Sequence, residues 1–223
     1  MTAKKDILEI RELRKPEEKE ALRLLEFYGL ALGVVKPLFI HVTTHPISIL
    51  LMMFISVAFF KLSGSFLISL LLPMPVLAFI YTLKNLPLLS RRHRKRHIDR
   101  TRGFYAHYRC REGCNFFVAL HDGKIVGTVG VDRKSPGVGE IRRMVVHPRH
   151  RRIGLACRLL AVAEEYCRKV ESYRYIELST SHVQRPAIAF YTKQGYQLVN
   201  VTPLSVFVPG YVSHDNWNFR KVI

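Results

Sequence analysis

The most constraining feature of this chain is the segment 142–156, RRMVVHPRHRRIGLA, in which an apolar strand runs through a basic turn into a helix. Apolar residues continue at helical spacing to about residue 170, which predicts an amphipathic helix. The first N–H groups of a helix lack carbonyl partners and carry partial positive charge. With Arg151 and Arg152 beside the small Gly154, this order of elements predicts a site for a phosphate-containing anion.

The segment resembles the pyrophosphate loop of the GNAT superfamily of acyl-CoA N-acyltransferases, with Arg151, Gly154 and Ala156 at the pattern positions. A second resemblance follows at residues 184–196, where QRPAIAFYTKQGY is similar to the family's Asn-x-x-Ala-x-x-x-Tyr-x-x-x-Gly-Phe/Tyr helix. Gln184 stands where Asn is usual. The resemblance implies an α+β fold, in which a mixed, mostly antiparallel central sheet is flanked by helices. In this chain we expect a hydrophobic helical hairpin to be inserted into that fold.

A more specific resemblance, over about residues 7–220, is to the camello-type N-acetyltransferases of the endoplasmic reticulum membrane. It is carried by the segments 116–119 (FFVA), 124–130 (KIVGTVG) and 150–156 (HRRIGLA). Activities in this group include acetylation of cysteine S-conjugates, of aspartate and of protein lysines. The resemblance therefore implies an N-acetyltransferase that uses acetyl-CoA as co-substrate and an amine as acceptor, and it leaves the acceptor open.

Residues 47–83 form a long hydrophobic segment that is interrupted at 61–65 (KLSGS). One continuous helix of this length would span about 55 Å, well beyond the ~30 Å hydrocarbon core of a bilayer. Gly64 between two serines predicts a turn. We therefore expect two short membrane helices in a hairpin, the second bent by Pro73 and Pro75. A single span and the buried hairpin of a soluble protein are the alternatives.

The sequence on both sides of the hydrophobic segment is basic, in a chain of net charge +18. Since Lys and Arg concentrate on the cytosolic side of membrane proteins, we expect both flanks and the catalytic domain to face the cytosol. The family resemblance places that membrane in the endoplasmic reticulum. The basic run at 91–102 lies directly after the hydrophobic segment, which favours anionic lipid head groups over nucleic acid as its partner.

The order of the predicted elements divides the chain into four parts. Residues 1–32 hold the first strand and helix, 33–90 the hydrophobic insert, 91–112 a basic linker helix and 113–223 the catalytic core. The four cysteines lack a second Cys or His pair at the spacing of a zinc site, so we expect no metal.

The resemblance implies roles for particular residues. Tyr191 is the candidate general acid for the departing CoA thiolate, because a phenol is protonated at neutral pH. Glu177 and Glu140 are candidates for the general base, since Ser179 stands where the camello-type group tends to carry Asp or Glu. His182 and a chain of waters are the alternatives. The residues expected to hold acetyl-CoA are Met144, Val145, Val146, Arg151, Arg152, Ile153, Gly154, Leu155, Ala156, Gln184 and Tyr191.

Two interpretations remain beside this one. Tyr191 shares a helix face with Ala187, which is also the pattern of an aromatic residue in the core. The unusual Ser179 and Gln184 fit an inactive, membrane-tethered scaffold that keeps the fold without turnover, whereas Arg151 and Gly154 favour the enzyme.

Overall fold

The computed structural model describes residues 8–29, 40, 44, 46–71, 103–170, 173–208 and 212–223. Its strands are β1 (Leu8–Glu12), β2 (Asn115–His121), β3 (Lys124–Ser135), β4 (Val138–Val146), β5 (Tyr175–Ser181), β6 (Gln197–Val208) and β7 (Val212–Val222). Its α-helices are α1 (Glu18–Leu24), α2 (Pro46–Ser63), α3 (Phe66–Leu71), α4 (Phe104–Arg109), α5 (Leu155–Lys169) and α6 (Arg185–Lys193).

The seven described strands form one sheet in the order β1-β2-β3-β4-β5-β7-β6. Only the β4–β5 pair is parallel among these neighbours, and the others are antiparallel. The predicted mixed, mostly antiparallel sheet is therefore confirmed. β1 pairs with β2 from Leu8↔His121 to Glu12↔Phe117, so residues from both sides of the hydrophobic segment share one sheet.

Local sequence explains the entry into the first helix and the tightest turn. Pro16 lies in the 3-10 turn that precedes α1, where its fixed φ suits a helix start. In the β2–β3 hairpin, Asp122 and Gly123 have φ of 49° and 75°. Positive φ at both central residues is typical of the hairpin turn whose twist matches the strands.

The two faces of the sheet carry separate cores. Helix α5 buries Leu155, Leu159 and Leu160 against one face, where each leucine contributes about 2 kcal/mol of burial free energy. Gly127 makes this approach possible, because a Cβ at that position would lie 2.8 Å from Leu159 Cδ1. On the opposite face, α1 and α4 cover β1 to β3 through a second cluster around Tyr108.

The hydrophobic segment is helical where the structure describes it. Helix α2 ends at Ser63, Gly64 turns the chain with φ of 64°, and α3 follows. Within the described ranges, no helix combines the length and the hydropathy that a membrane crossing requires, so the predicted transmembrane helices find no support there. The second arm beyond Leu71, with Pro73 and Pro75, and the basic run 91–102 lie outside the described residues.

Candidate active site

A gap opens between the two parallel strands at the centre of the sheet. Strands β4 and β5 pair from Val138↔Tyr175 to Ile141↔Leu178, and no pairing between them follows in the described strands. Both strands nevertheless continue, to Val146 and to Ser181. We call the gap between residues 142–146 and residues 179–181 the wedge. Because β4 and β5 do not pair with each other across the wedge in the described strands, an extended ligand could lie between them.

The predicted binding strand lines one edge of the wedge. Met144 and Val146 pack into the core beneath α5, and Val145 packs against the cluster on the opposite face. The strand bulges here, because Arg143 has φ of 55° and its carbonyl oxygen accepts a hydrogen bond from Thr128 Oγ1 at 2.8 Å. Left-handed backbone at a non-glycine residue costs about 1–3 kcal/mol and is concentrated at functional sites.

The loop 147–154 joins the wedge to helix α5. Arg152 and Gly154 both have left-handed backbone, with φ of 66° and 79°. Glycine adopts this conformation without steric cost. A Cβ placed on Gly154 would meet no atom within 4 Å, so the space before the helix is open. The predicted anion site therefore has exposed backbone and open space at the place where a phosphate would lie. We call this exposed backbone at Gly154 the Gly154 corner.

The N-terminus of α5 and the neighbouring arginines supply positive charge to this corner. The amide of Arg158 makes the first helical bond, to Gly154 O at 3.1 Å, and the amides of residues 155–157 precede it without intrahelical acceptors. Arg151 is exposed and its Nε donates to Val146 O at 3.0 Å, which ties the loop to the wedge strand. Ile153 is also exposed, whereas Leu155 is buried and anchors the helix.

Tyr191 approaches the wedge from the α5 side of the sheet. It lies on α6, packs against the core beneath α5, and its hydroxyl donates to Met144 Sδ at 3.5 Å. Burial raises the pKa of Tyr191 to about 12. The phenol is thus protonated throughout the physiological pH range and points at the strand that lines the wedge. Both properties suit a proton or hydrogen-bond donor to a departing sulfur.

Gln184 and His182 fix the connection that follows β5. The Oε1 atom of Gln184 accepts from Thr180 Oγ1 at 2.9 Å and from the amide of Ser181 at 3.3 Å. His182 Nδ1 accepts from the amide of Asp215 at 3.0 Å. Both side chains therefore hold the end of β5 in place, which is a structural role at the rim of the wedge.

Glu177 is held between two cations. Its carboxylate accepts from Lys134 Nζ at 2.6 Å and from Arg220 Nε at 2.8 Å. Burial acts to raise the pKa of Glu177, but the hydrogen bonds and charges of Lys134 and Arg220 outweigh it and hold that pKa below its ordinary value. A general base needs a pKa near the working pH, so this environment does not favour Glu177 in that role.

Glu140 lies on the same face and forms an ion pair with Arg142 at 3.7 Å. Arg142 also donates to the buried Asp132 at 2.8 Å. Around Asp132, burial acts to raise the pKa of the carboxyl, but His107 and Arg142 lower it below its ordinary value. The Glu140 side chain thus borders a charge-paired cluster in which Asp132 is the central carboxylate.

Ser179, which stands where the camello-type group tends to carry Asp or Glu, is part of a polar cluster. The sequence alone did not predict this cluster. Ser179 Oγ donates to Asn218 Oδ1 at 2.5 Å, and Asn218 Nδ2 donates to Asn200 and Thr202 at 2.5 and 3.0 Å. Asn216 Nδ2 approaches Asn218 Oδ1 at 3.5 Å. We call these five residues the amide cluster. Its members come from three strands and meet because β7 lies between β5 and β6.

Among the residues that the structure describes, no group of three or more His, Cys, Asp and Glu side chains is arranged to hold a metal ion. Cys110 and Cys114 are free thiols, and Cys114 Sγ approaches Asp132 Oδ1 at 3.3 Å.

Comparison with known proteins agrees with this geometry. A model of the acetyltransferase (GNAT) family matches residues 79–196, more than half of the chain. The chain belongs to this acetyltransferase family. Its members use acetyl-CoA as acetyl donor, and the wedge, the Gly154 corner and the α5 N-terminus of this GNAT chain fit such an extended, phosphate-containing molecule.

Curated relatives carry names that agree with this assignment, and a solved structure shares the fold. N-acetyltransferase 8 of Rattus norvegicus is 26% identical over 83% of this chain and 85% of the relative. N-acetyltransferase 8B of the same species is 28% identical over 71% of this chain and 73% of the relative. The crystal structure of an acetyltransferase from Streptococcus agalactiae superposes with a TM-score of 0.57 over 97% of this chain and 98% of that one, at 14% identity. This last likeness shows the fold.

Proposed function

We propose that this GNAT enzyme is a membrane-attached N-acetyltransferase that moves an acetyl group to the amine of an amino acid, a cysteine conjugate or a protein lysine. The observation that carries the proposal is the wedge, which opens directly beside the Gly154 corner and faces the Tyr191 hydroxyl. Backbone donors at one edge, a phosphate site at the end and a protonated phenol at the side match the three requirements of acyl transfer from a thioester.

The residues around the wedge would have different roles in the reaction, according to where they lie. Backbone groups of 142–146 would orient the pantetheine arm and the thioester carbonyl, and preorganised dipoles of this kind stabilise developing negative charge. Arg151 and the amides of 155–157 would hold the pyrophosphate, so that binding energy far from the reacting carbon positions it. Tyr191 would donate its proton or a hydrogen bond toward the departing sulfur. Acetyl-CoA supplies the activated acetyl group.

Membrane attachment rests on the exposed apolar side chains of the hydrophobic segment and on its basic flanks in the sequence. The large side chains of α2 and α3 that are exposed are Ile49, Leu50, Leu51, Met53, Phe54, Val57, Phe60, Leu62, Phe66, Leu67 and Ile68. Contiguous apolar surface of this kind marks membrane or protein contacts. We place the segment in the endoplasmic reticulum membrane, with the catalytic domain on the cytosolic side and residues 91–102 against anionic lipid.

The attachment is tested on membranes from cells that express the full chain. We expect the wild-type protein to stay with the membrane pellet after alkaline carbonate and to be fully digested by protease added to sealed vesicles. The double variant Leu50→Glu/Phe54→Glu should shift to the supernatant. Release of the wild-type protein by carbonate would contradict attachment, and protection from protease would contradict the cytosolic orientation.

The catalytic proposal is tested by calorimetry of acetyl-CoA binding to the detergent-solubilised full chain. We expect micromolar binding by the wild type and its loss in Gly154→Glu, because a carboxylate at the open corner repels the pyrophosphate. Gly123→Glu is the matched control, since Gly123 also has positive φ and open space but lies in the β2–β3 turn. A folded wild-type protein that does not bind acetyl-CoA would overturn the enzyme and leave the scaffold.

A further inference from the structure

The amide cluster lies on the sheet face opposite helix α5. Leu178 and Phe219 are paired neighbours on β5 and β7 and are buried beneath α5. Side chains alternate between faces along a strand, so Ser179 and Asn218, one position along each strand, project from the other face. Their mutual hydrogen bond confirms this placement. Ser179 is exposed there and Asn218 is half-buried.

Ser179 is also the first residue of β5 beyond the last pair with β4. It therefore stands at the mouth of the wedge, whereas Tyr191 reaches the wedge from the α5 side through Met144. The two side chains approach the same gap from opposite faces. An amine that enters past Ser179 would displace a sulfur that leaves toward Tyr191.

Asn218 fixes the hydroxyl of Ser179 in one orientation. Its Oδ1 accepts from Ser179, while its Nδ2 is held by Asn200 and Thr202 on the neighbouring strand. Because Ser179 donates its hydrogen to Asn218, the oxygen lone pairs of Ser179 remain available to accept a hydrogen bond. The cluster thus presents a preoriented neutral acceptor at the mouth of the wedge.

The three carboxylates that β3, β4 and β5 place on this face are each paired with an arginine or a lysine. Glu177 is bound by Lys134 and Arg220, Glu140 pairs with Arg142, and Asp132 is bound by Arg142 and His107. A neutral hydroxyl beside engaged carboxylates suits an amine that arrives without its extra proton.

We propose that Ser179, oriented by Asn218, receives the acceptor amine through an N–H···Oγ hydrogen bond, and that the acceptor is an α-amine that loses its extra proton to water before it binds. The proposal rests on the acetyl transfer proposed above and names the acceptor class of that site. Ser179 would contact substrate, and Asn218 is a positioning residue that acts through it.

The balance of the step is simple. The neutral α-amine forms a C–N bond to the thioester carbonyl carbon as the C–S bond breaks, and the amine gives up one proton to water at Ser179. The thiolate gains one proton, donated or hydrogen-bonded by Tyr191, which regains it from water. An amide and a free thiol result, with no net gain or loss of protons.

This chemistry separates two amine classes. The unperturbed α-amino group of a peptide N-terminus has a pKa near 8 and a lysine side chain one near 10.4, so at pH 7 the neutral fractions of the two peptide amines differ by roughly 300-fold. Where Ser179 and water take the place of a carboxylate base, as proposed here, the enzyme should favour the α-amine, although the greater intrinsic nucleophilicity of lysine offsets part of the difference. We expect a preference of at least about tenfold.

The test uses two pentapeptides of otherwise identical sequence, one with a free N-terminus and no lysine, the other N-acetylated with a single lysine. We expect kcat/KM for the first to exceed the second at least about tenfold and to rise with pH to a plateau near the α-amine's own pKa. Free alanine, tested beside them, distinguishes an amino acid from a peptide as the source of the α-amine.

Variants assign the effect to Ser179. Ser179→Val should lower kcat/KM for the α-amine about tenfold or more, and Ser179→Thr, which keeps the hydroxyl, should restore most of it. Ser135→Val removes an exposed hydroxyl at the far end of the sheet and should behave as wild type. Without acetyl-CoA, fluorescence anisotropy of the free-N-terminus peptide, labelled at its C-terminus, should show about tenfold weaker binding by Ser179→Val.

The outcomes separate this inference from the function on which it rests. If the lysine peptide reacts as fast as the α-amine peptide, or if Ser179→Val matches wild type in both rate and peptide binding, the inference is overturned while acetyl transfer stands. If the wild-type protein binds acetyl-CoA yet acetylates none of the three acceptors and no cysteine S-conjugate either, the proposed acetyl transfer is overturned together with this inference.

Discussion

The two sides of the wedge are built in different ways. The side that faces α5 is contiguous in sequence: β4, the loop 147–154 and the start of α5 follow one another, and Tyr191 is added from α6. The opposite side is assembled from β5, β6 and β7, and its amide cluster joins residues up to 39 positions apart. The side that faces α5 offers largely backbone groups and fixed charge. The opposite side offers neutral side chains.

This contrast explains why one family can keep its donor and vary its acceptor. Backbone amides and a helix N-terminus bind phosphate whatever the neighbouring side chains are. A site made of side chains on three strands changes with each substitution. In the proposed mechanism the donor side is thus set by the fold, while the acceptor side would be set by residues such as Ser179 and Asn218.

The largest expected effect concerns Tyr191, on the α5 side. Tyr191→Phe removes only the hydroxyl, and we expect kcat to fall about 100-fold while the affinity for acetyl-CoA stays within about threefold. Steady-state kinetics and calorimetry measure the two quantities. Tyr175→Phe, at the paired end of β5, is the control. Because the pKa of Tyr191 is about 12, its ionisation should not lower activity between pH 7 and 10. Unchanged kcat would make Tyr191 a core residue.

The next effect concerns Asp132, the buried carboxylate on β3. Asp132→Asn leaves Arg142 and His107 without their charged partner, and we expect a loss of about 2 kcal/mol in the free energy of unfolding. Urea denaturation measures it. The same change in the exposed hairpin turn, Asp122→Asn, should stay within about 0.5 kcal/mol of wild type. Equal stability of the two variants would show that the cluster around Asp132 contributes nothing.

A smaller effect separates two arginines of the phosphate loop. Arg151→Ala removes the hydrogen bond to Val146 O as well as a charge, so we expect acetyl-CoA to bind about tenfold more weakly. Arg149→Ala removes the same charge from the preceding 3-10 turn and should change affinity by less than about threefold. Calorimetry on both variants measures the affinity for acetyl-CoA. Equal losses would mean that net charge, and not the position of Arg151, governs binding.

The smallest effect concerns Glu177. We expect Glu177→Gln to leave kcat/KM within about threefold and to cost about 1 kcal/mol of stability at pH 7. Because the pKa of Glu177 is lowered in the folded state, its contribution is present above the unfolded pKa of about 4.3 and is lost as the pH falls through the folded value. In urea titrations the difference in stability between the variant and the wild type should therefore shrink as the pH falls from 7 to 3. A 100-fold loss of kcat would restore Glu177 as the base.

The contiguous side of the wedge could be predicted from sequence because its signals are local. Gly154 before an amphipathic helix, and Tyr191 at helical spacing from Ala187, are visible along the chain, and the structure places both at the wedge. The mixed sheet followed from the resemblance. The amide cluster could not be predicted, because the contact of Ser179 with Asn218 depends on the order of β5 and β7 in the sheet.

Glu177 shows the other limit of prediction. Its position two residues before Ser179 places it on the correct face, which the sequence already indicates. Its chemistry depends on Lys134 and Arg220, which come from β3 and β7 and approach only after folding. Whether a carboxylate is available as a base depends on such partners, and no local sequence pattern predicts them.

The pairing of β1 with β2 has a consequence for how the chain is made. Leu8 pairs with His121, so the first strand has no partner until more than a hundred further residues have left the ribosome. At 5–20 residues per second, that wait is on the order of 5–20 s. During this interval the whole hydrophobic segment emerges, because it lies between the two strands in the sequence. Closure of this edge of the sheet therefore waits for the synthesis of that segment.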